Sequence, residues 1–228
     1  DADTKSKQKA IDMDVDAKLG AIAGFYGEAV RGVDIKLSRR GGAIKTFSLH
    51  GKIGRDTPVT GSLRSRAQGR EVLYLETKDA GAFFRFTDIY PKMFGGQMWV
   101  ALDAPNGDSS PQEGLLNVSN FKVKGEAALD RVVANGGGAN PAGIGFSAMR
   151  TEFTRQTGEL RIRDGVVRGP TVGATIEGSI DYRANEVRMS GTFVPMYGLN
   201  NIFGQIPIVG LVLGGGSNEG LIGITYEV

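Results

Sequence analysis

Ile11-Asp12-Met13-Asp14-Val15-Asp16-Ala17-Lys18-Leu19 alternates without a break. Ile11, Met13, Val15, Ala17 and Leu19 fall on one side, and Asp12, Asp14, Asp16 and Lys18 on the other. Successive side chains of an extended chain point to opposite faces, so the stretch reads as a half-buried β-strand with one apolar and one charged face. The pattern returns downstream. Val33, Ile35 and Leu37 alternate with Asp34 and Lys36, and Phe47, Leu49, Gly51 and Ile53 with Ser48, His50 and Lys52. Gly41-Gly42 marks a hairpin turn between these two runs, and Gly69 part of another. Weaker strands are expected over 59–65 and 71–76.

The period then changes. Asp79 precedes Ala80-Gly81-Ala82-Phe83-Phe84-Arg85-Phe86, an N-cap before a short helix. A second turn is expected from Asp88-Ile89-Tyr90-Pro91, ending at Gly95-Gly96. Strands resume over 97–103 and 115–124, and the apolar parity switches between Val118 and Phe121, which predicts a bulge near Asn120. Helical spacing runs from Glu126 to Ala134, and a glycine-rich loop covers 135–145. In the last third, Leu160, Ile162 and Val166 flank an expected Asp164-Gly165 turn. Val172, Ala174, Ile176, Gly178, Ile180 and Tyr182 form one alternating run, and Val187, Met189, Gly191 and Phe193 another. About a dozen strands without intervening helices predict antiparallel meanders. The fold class is therefore mostly β: a curled antiparallel sheet, an open groove or a partial barrel, with two or three short helices capping it. One domain over 1–228 is expected, with N-terminal strands to 78, a helix-strand-helix region over 79–150 and C-terminal strands over 151–228.

Composition narrows the function. The 27 basic and 25 acidic residues leave a net charge of +2, and no basic stripe interleaved with aromatics appears, so nucleic acid is not an expected partner. Cysteine is absent, which excludes disulfides and thiolate metal sites. No run of 18 apolar residues occurs, and the longest apolar stretch, Ile206 to Leu213, is interrupted by Pro207 and Gly210. The chain begins at Asp1, and we read it as a portion of a larger protein. His50, the one histidine, sits on the polar side of its strand with no metal-binding companion. No Gly-x-Ser-x-Gly elbow is present, Asp103-Asn106-Gly107-Asp108 lacks the spacing of a calcium loop, and Gly136-Gly137-Gly138 is not followed by Lys-Ser/Thr. No catalytic residue, metal or cofactor is expected.

The tail is the most specific segment. From Gly191 it reads Gly-Thr-Phe-Val-Pro-Met-Tyr-Gly-Leu-Asn, then Ile206-Pro207-Ile208-Val209-Gly210, then Glu219-Gly220-Leu221 and Tyr226. Upstream, Asp79-Ala80-Gly81-Ala82-Phe83-Phe84-Arg85 is followed by Tyr90 and by Gly95-Gly96 before a strand, and Leu116 to Val123 forms the next strand. In both segments the chain resembles the C-terminal region of the AsmA-like proteins of Gram-negative bacteria, over roughly residues 10–228. Phe83, Phe84 and Phe86 are bulkier than the leucines of that pattern, and the 135–145 loop is richer in glycine.

The resemblance implies a periplasmic protein anchored in the inner membrane, whose long sheet curls into a groove that lets phospholipid move toward the outer membrane. Its partners would be phospholipid acyl chains, with an outer-membrane or periplasmic protein as a further candidate and membrane contact made by the full-length protein. Candidate groove residues are Ile11, Met13, Val15, Leu19, Val33, Ile35, Leu37, Phe47 and Leu49. The capping motif comprises Pro195, Tyr197, Leu199, Asn200, Pro207, Gly210, Glu219, Gly220 and Tyr226. From the pattern alone, two readings of the apolar faces stay open: packing inside a closed sandwich, or lining a groove. The segment 199–213 either caps the sheet, packs as core, or touches a membrane or partner. A second function, envelope or outer-membrane protein assembly through partner binding, is the alternative to lipid transport.

Overall fold

The computed structural model describes residues 11–66, 69–106, 111–126, 129, 142–195 and 224–227. They form one antiparallel sheet of twelve strands in strict chain order. The strands are β1 (Met13–Ala23), β2 (Ala29–Arg40), β3 (Ala43–Ile53), β4 (Thr57–Ser65), β5 (Glu71–Thr77), β6 (Met93–Asp103), β7 (Gln112–Val123), β8 (Ile144–Gln156), β9 (Glu159–Arg168), β10 (Val172–Asp181), β11 (Glu186–Pro195) and β12 (Ile224–Glu227). The expected meander is found. Among the described residues β1 bonds only to β2 and β12 only to β11, so the sheet is open and not a barrel.

One helix, α1 (Ala80–Phe86), joins β5 to β6. The expectation of two or three capping helices is thereby corrected to one among the described residues. Asp88, with φ of 58°, and Pro91 stop any continuation beyond Thr87. Of the segment from Ala127 to Ala134 only Leu129 is described, and the segment from Leu199 lies outside the described residues. Two turns also move. Gly95-Gly96 lies inside β6, and Asp164-Gly165 lies inside β9, where a register shift beside Glu152 and Phe153 absorbs the irregularity. The real β8–β9 turn is at Gly158, with φ of 83°.

Chain order in a meander puts alternate connections at opposite ends. The β5–α1–β6, β1–β2 and β7–β8 connections share one end, here the helix end; the β2–β3, β4–β5, β6–β7 and β8–β9 connections share the far end. Toward the helix end the strands reset their faces. Buried residues stand three apart at Val30 and Val33, at Val118 and Phe121, and at Phe146 and Met149. Left-handed residues stand at this end of β2, β6 and β7, at Gly32 with φ of 57°, Gly96 with 88° and Asn120 with 55°, and β8 follows through its pairing with β7. Asn120 is where the sequence predicts a bulge; the register there is unbroken, and the backbone rotates instead.

Helix α1 forms because Asp79 Oδ1 accepts the Ala82 N–H at 3.0 Å, satisfying an otherwise unpaired first-turn donor. Gly81 lets it sit directly on β6: a Cβ there would lie 2.6 Å from the Met93 carbonyl oxygen. Arg85 pairs with Glu28 at 2.8 Å, and Phe25 N–H donates to Phe86 O at 3.2 Å, tying α1 to the β1–β2 turn. Two buried clusters result. One holds Ala82 with Val30, Val33, Ile53 and Val59; the other runs from Ala80 and Phe84 across Met98, Val118, Phe121, Phe146 and Val172, with Leu129.

Candidate functional site

Paired residues of an antiparallel sheet point to the same face, so the register identifies whole rows. One row crosses the entire sheet: Ala17, Ile35, Leu49, Gly61, Leu75, Val100, Leu116, Thr151, Gly165, Ile176, Gly191 and Tyr226. No charged residue interrupts it. Two residues toward the far end, a second row runs Val15, Leu37 and Phe47, and then Leu63, Leu73, Leu102, Gly114, Phe153, Ile162, Gly178 and Met189. Between Phe47 and Leu63 the pairing lapses, because the β3–β4 ladder ends at Ser48↔Ser62. Two residues toward the helix end lies a third row, including Val59, Thr77, Met98, Val118, Met149, Val167 and Ala174.

The rows differ in what covers them. The third row is sealed, with Val59, Met98 and Val118 at 2%, 3% and 0% exposure beneath the α1 end. The middle row is half-buried at Ile35, Leu49, Leu75, Val100, Leu116 and Ile176, which pack on the edges of the two clusters. The second row is half-buried too, and its large side chains belong to neither cluster. Rows two residues apart on a strand are separated by about 7 Å, and eleven steps of about 4.8 Å make a strip roughly 53 Å long across the twelve strands. The face thus carries an apolar strip, the trough, covered at the helix end and half-buried toward the far end.

The opposite face is mainly polar, with an apolar patch at Val72, Tyr74, Trp99 and Ala101. Its central row runs Lys18, Asp34, His50, Thr60, Glu76, Trp99, Asn117, Arg150, Val166, Thr175, Thr192 and Thr225. Cross-strand pairs bind it together: Lys36–Asp16 at 3.4 Å, Arg40–Asp14 at 2.6 Å and Arg64–Glu76 at 3.7 Å. Arg64 also lies 3.4 Å over the Tyr74 ring, which stacks on Trp99. Burial, and then the Glu76 carboxylate, push the Tyr74 hydroxyl above its ordinary pKa. His50 is exposed on this face. Among the described residues no group of three or more His, Cys, Asp or Glu is placed to hold a metal, and no helix is long and apolar enough to cross a membrane.

The far end carries polar turns. Asn106 forms an isolated bridge with Ala43, and Ile44 N–H donates to Pro105 O at 3.2 Å. In a flat sheet β3 and β6 would stand about 14 Å apart, so this bridge records how strongly the sheet curls. Glu159 is held below the ordinary carboxylate range by Gln156 and Arg161, and Asp181 by the backbone N–H groups of Ala184 and Arg183.

The sequence-derived groove residues sort as follows. Val15, Leu37 and Phe47 share the second row, and Ile35 and Leu49 the middle row. Met13 and Leu19 lie on the same face of the edge strand, 41% and 44% exposed. Val33, at 2% exposure, is sealed under α1, and Ile11 precedes β1 at 79% exposure. Of the capping motif, Pro195 ends β11 and Tyr226 pairs with Gly191 in β12; Tyr197, Leu199, Asn200, Pro207, Gly210, Glu219 and Gly220 lie outside the described residues. Leu73, Leu75, Val100, Leu102, Leu116, Phe153, Ile162 and Ile176 line the same face and were not among the candidates.

No family model, curated protein or solved structure matches the chain.

Proposed function

We propose that the chain is a lipid-transport module: a segment of an apolar β trough that holds phospholipid acyl chains and lets them slide, breaking no bond. The observation that carries this reading is the uncharged row crossing all twelve strands, left half-open outside the helix end. Each methylene removed from water contributes about 0.8 kcal/mol, so a two-chain lipid leaving for water loses on the order of 20 kcal/mol. A continuous apolar floor lowers that barrier, and the charged outer face keeps the trough wetted outside. The resemblance of the Asp79 and tail motifs to AsmA-like proteins sets the context: a periplasmic part of an inner-membrane-anchored bridge toward the outer membrane.

Mass spectrometry of lipid co-purifying with the chain tests this, together with Ile35→Asp and Met13→Asp. Phospholipid bound by the native chain and lost from Ile35→Asp is the expected result. Lipid-free native protein, in a form that retains its biological activity when Ile35 is charged, refutes it. The edge of β1, unpaired among the described residues and with Met13 and Leu19 exposed beside it, favours the second reading, an assembly factor that adds a partner's strand.

A further inference from the structure

The apolar rows of the trough end at a polar cavity of about 810 Å³ at the far end. Its lining includes Lys45, Arg70, Glu71, Asp103, Gln112 and Arg155. Alternation continues the trough face into it. Glu71 lies two residues before Leu73, Gln112 two before Gly114, and Arg155 two after Phe153, and Gln112 and Arg155 are themselves a register pair. The next row beyond the apolar strip is therefore a row of charged and polar groups.

Two of these groups are already engaged with each other. Arg70 pairs with Asp103. Gln112 Nε2 donates to Asp103 O at 2.6 Å, and Arg155 Nη1 donates to Gln112 Oε1 at 2.7 Å, so Gln112 holds Arg155 at the cavity. Lys45, Arg155 and Glu71 make no ion pair among the described residues. Two cations and one carboxylate, all exposed to solvent, thus stand without an ionic partner around an open space of the size that takes a small ligand.

We propose that this cavity binds the zwitterionic headgroup of a phospholipid whose chains lie in the trough. Lys45 and Arg155 take the phosphate, and Glu71 takes the ammonium. The inference rests on the lipid reading above and adds the headgroup class to it. A phosphate oxygen accepts charge-assisted hydrogen bonds from guanidinium and ammonium donors, and the carboxylate accepts from the headgroup amine. Mixed charge disfavours a purely anionic headgroup, because Glu71 then faces a second negative group.

The test is displacement of a fluorescent diacylglycerol from the chain by phosphatidylethanolamine, phosphatidylglycerol and unlabelled diacylglycerol of matched chain length, with soluble phosphoethanolamine as a fourth competitor. Phosphatidylethanolamine should displace best. Lys45→Gln and Arg155→Gln should each weaken both phospholipids about fivefold and leave diacylglycerol unchanged. Glu71→Gln should weaken phosphatidylethanolamine alone, bringing it level with phosphatidylglycerol. All three positions are at the polar rim, and circular dichroism of each variant checks that the sheet is retained. Displacement that ignores headgroup and substitution overturns the headgroup site and leaves the trough standing. Failure of the labelled diacylglycerol to bind overturns both. Binding of soluble phosphoethanolamine as tight as that of the lipid overturns the lipid source of the headgroup.

Discussion

Leu102→Asp places one charge on the second row, in a position where it disturbs the trough and little else. Leu102 is half-buried, paired with Leu73 on one side and Gly114 on the other, and belongs to neither buried cluster. A fully extended chain advances about 1.2 Å per backbone bond, so one strand-to-strand step of about 4.8 Å is spanned by about four methylenes. Four methylenes at about 0.8 kcal/mol each represent about 3 kcal/mol when fully withdrawn from water. A trough covers one side of the lipid chain, so about half of that, roughly 1.5 kcal/mol, is lost when a hydrated carboxylate takes the place of Leu102. The expected loss of affinity is about tenfold. The assay is displacement of a fluorescent diacylglycerol, with Thr60→Asp as the control, since Thr60 lies between His50 and Glu76 on the outer face. Thermal denaturation separates binding from folding, and the half-exposed site keeps the stability loss to about 1 kcal/mol. Equal affinity of Leu102→Asp and Thr60→Asp would refute the claim that this face carries the lipid.

Three further outcomes concern the elements that close the helix end and the far-end turns. Asp79→Ala removes the bond from Ala82 N–H at 3.0 Å and should lower stability by about 1 kcal/mol, read from the urea midpoint; an unchanged midpoint contradicts the cap. Gly81→Ala drives a Cβ to within 2.6 Å of Met93 O and 2.7 Å of Phe94 Cα, both backbone, so α1 must lift from β6 at a loss of about 2 kcal/mol, with faster amide exchange along β6. Asp181 accepts the N–H groups of Arg183 at 2.8 Å and Ala184 at 3.0 Å, which depress its pKa in the folded state. A depressed carboxylate stabilises above its unfolded pKa and loses that contribution as pH falls through the folded value. The amides of Arg183 and Ala184 should therefore become less protected as the pH falls through and below the ordinary Asp range, and Asp181→Asn should flatten that dependence.

The legible part of the fold was the part with two unlike faces. In β1 to β3 apolar residues alternate with Asp, Lys and His, and the register confirms each alternation. Over β5 to β7 the signal fades, because the opposite face there is partly apolar as well. Val72-Leu73-Tyr74-Leu75 is a continuous run whose even members, Val72 and Tyr74, lie on the opposite face, where Val72 is buried and Tyr74 stacks on Trp99. Ala101 and Leu115 extend that outer patch. Periodicity cannot assign a face to such a run, so the trough residues of β5 to β7 are not legible from it, whereas the alternation of β10 already sets Ile176 and Gly178 on one face. Val33 failed for another reason. Gly32, at φ 57°, resets the face of β2, and α1, about fifty residues on in the connection after β5, supplies the cover. The cover is not local to the strand. Asp79, by contrast, is a capping signal contained in its own neighbourhood, and it was read correctly.

A trough needs depth as well as an apolar floor, and glycine supplies it. Gly61, Gly165 and Gly191 stand in the middle row and Gly114 and Gly178 in the second, so at these positions no side chain rises into the trough. Larger neighbours lie down into the space left. The Phe153 ring covers Gly114, where a Cβ would fall 2.2 Å from it, and the Phe47 ring covers Gly61 at 2.9 Å. Gly114→Ala must therefore push the Phe153 ring upward. Phe153 is half-buried and free on the trough side, so the ring can rise, and the stability loss stays near the low end of overpacking, about 1 kcal/mol. The gain in apolar surface should make binding tighter if stickiness alone governs lipid uptake. Depth predicts the opposite: the raised ring obstructs the strip without adding charge, and a two-chain lipid should lose more affinity than a single-chain amphiphile. Measuring both ligands on Gly114→Ala and on Leu102→Asp distinguishes the two ideas. Charge should weaken both ligands alike, obstruction should discriminate between them, and tighter binding of the two-chain lipid to Gly114→Ala would show that the glycines do not keep the trough clear.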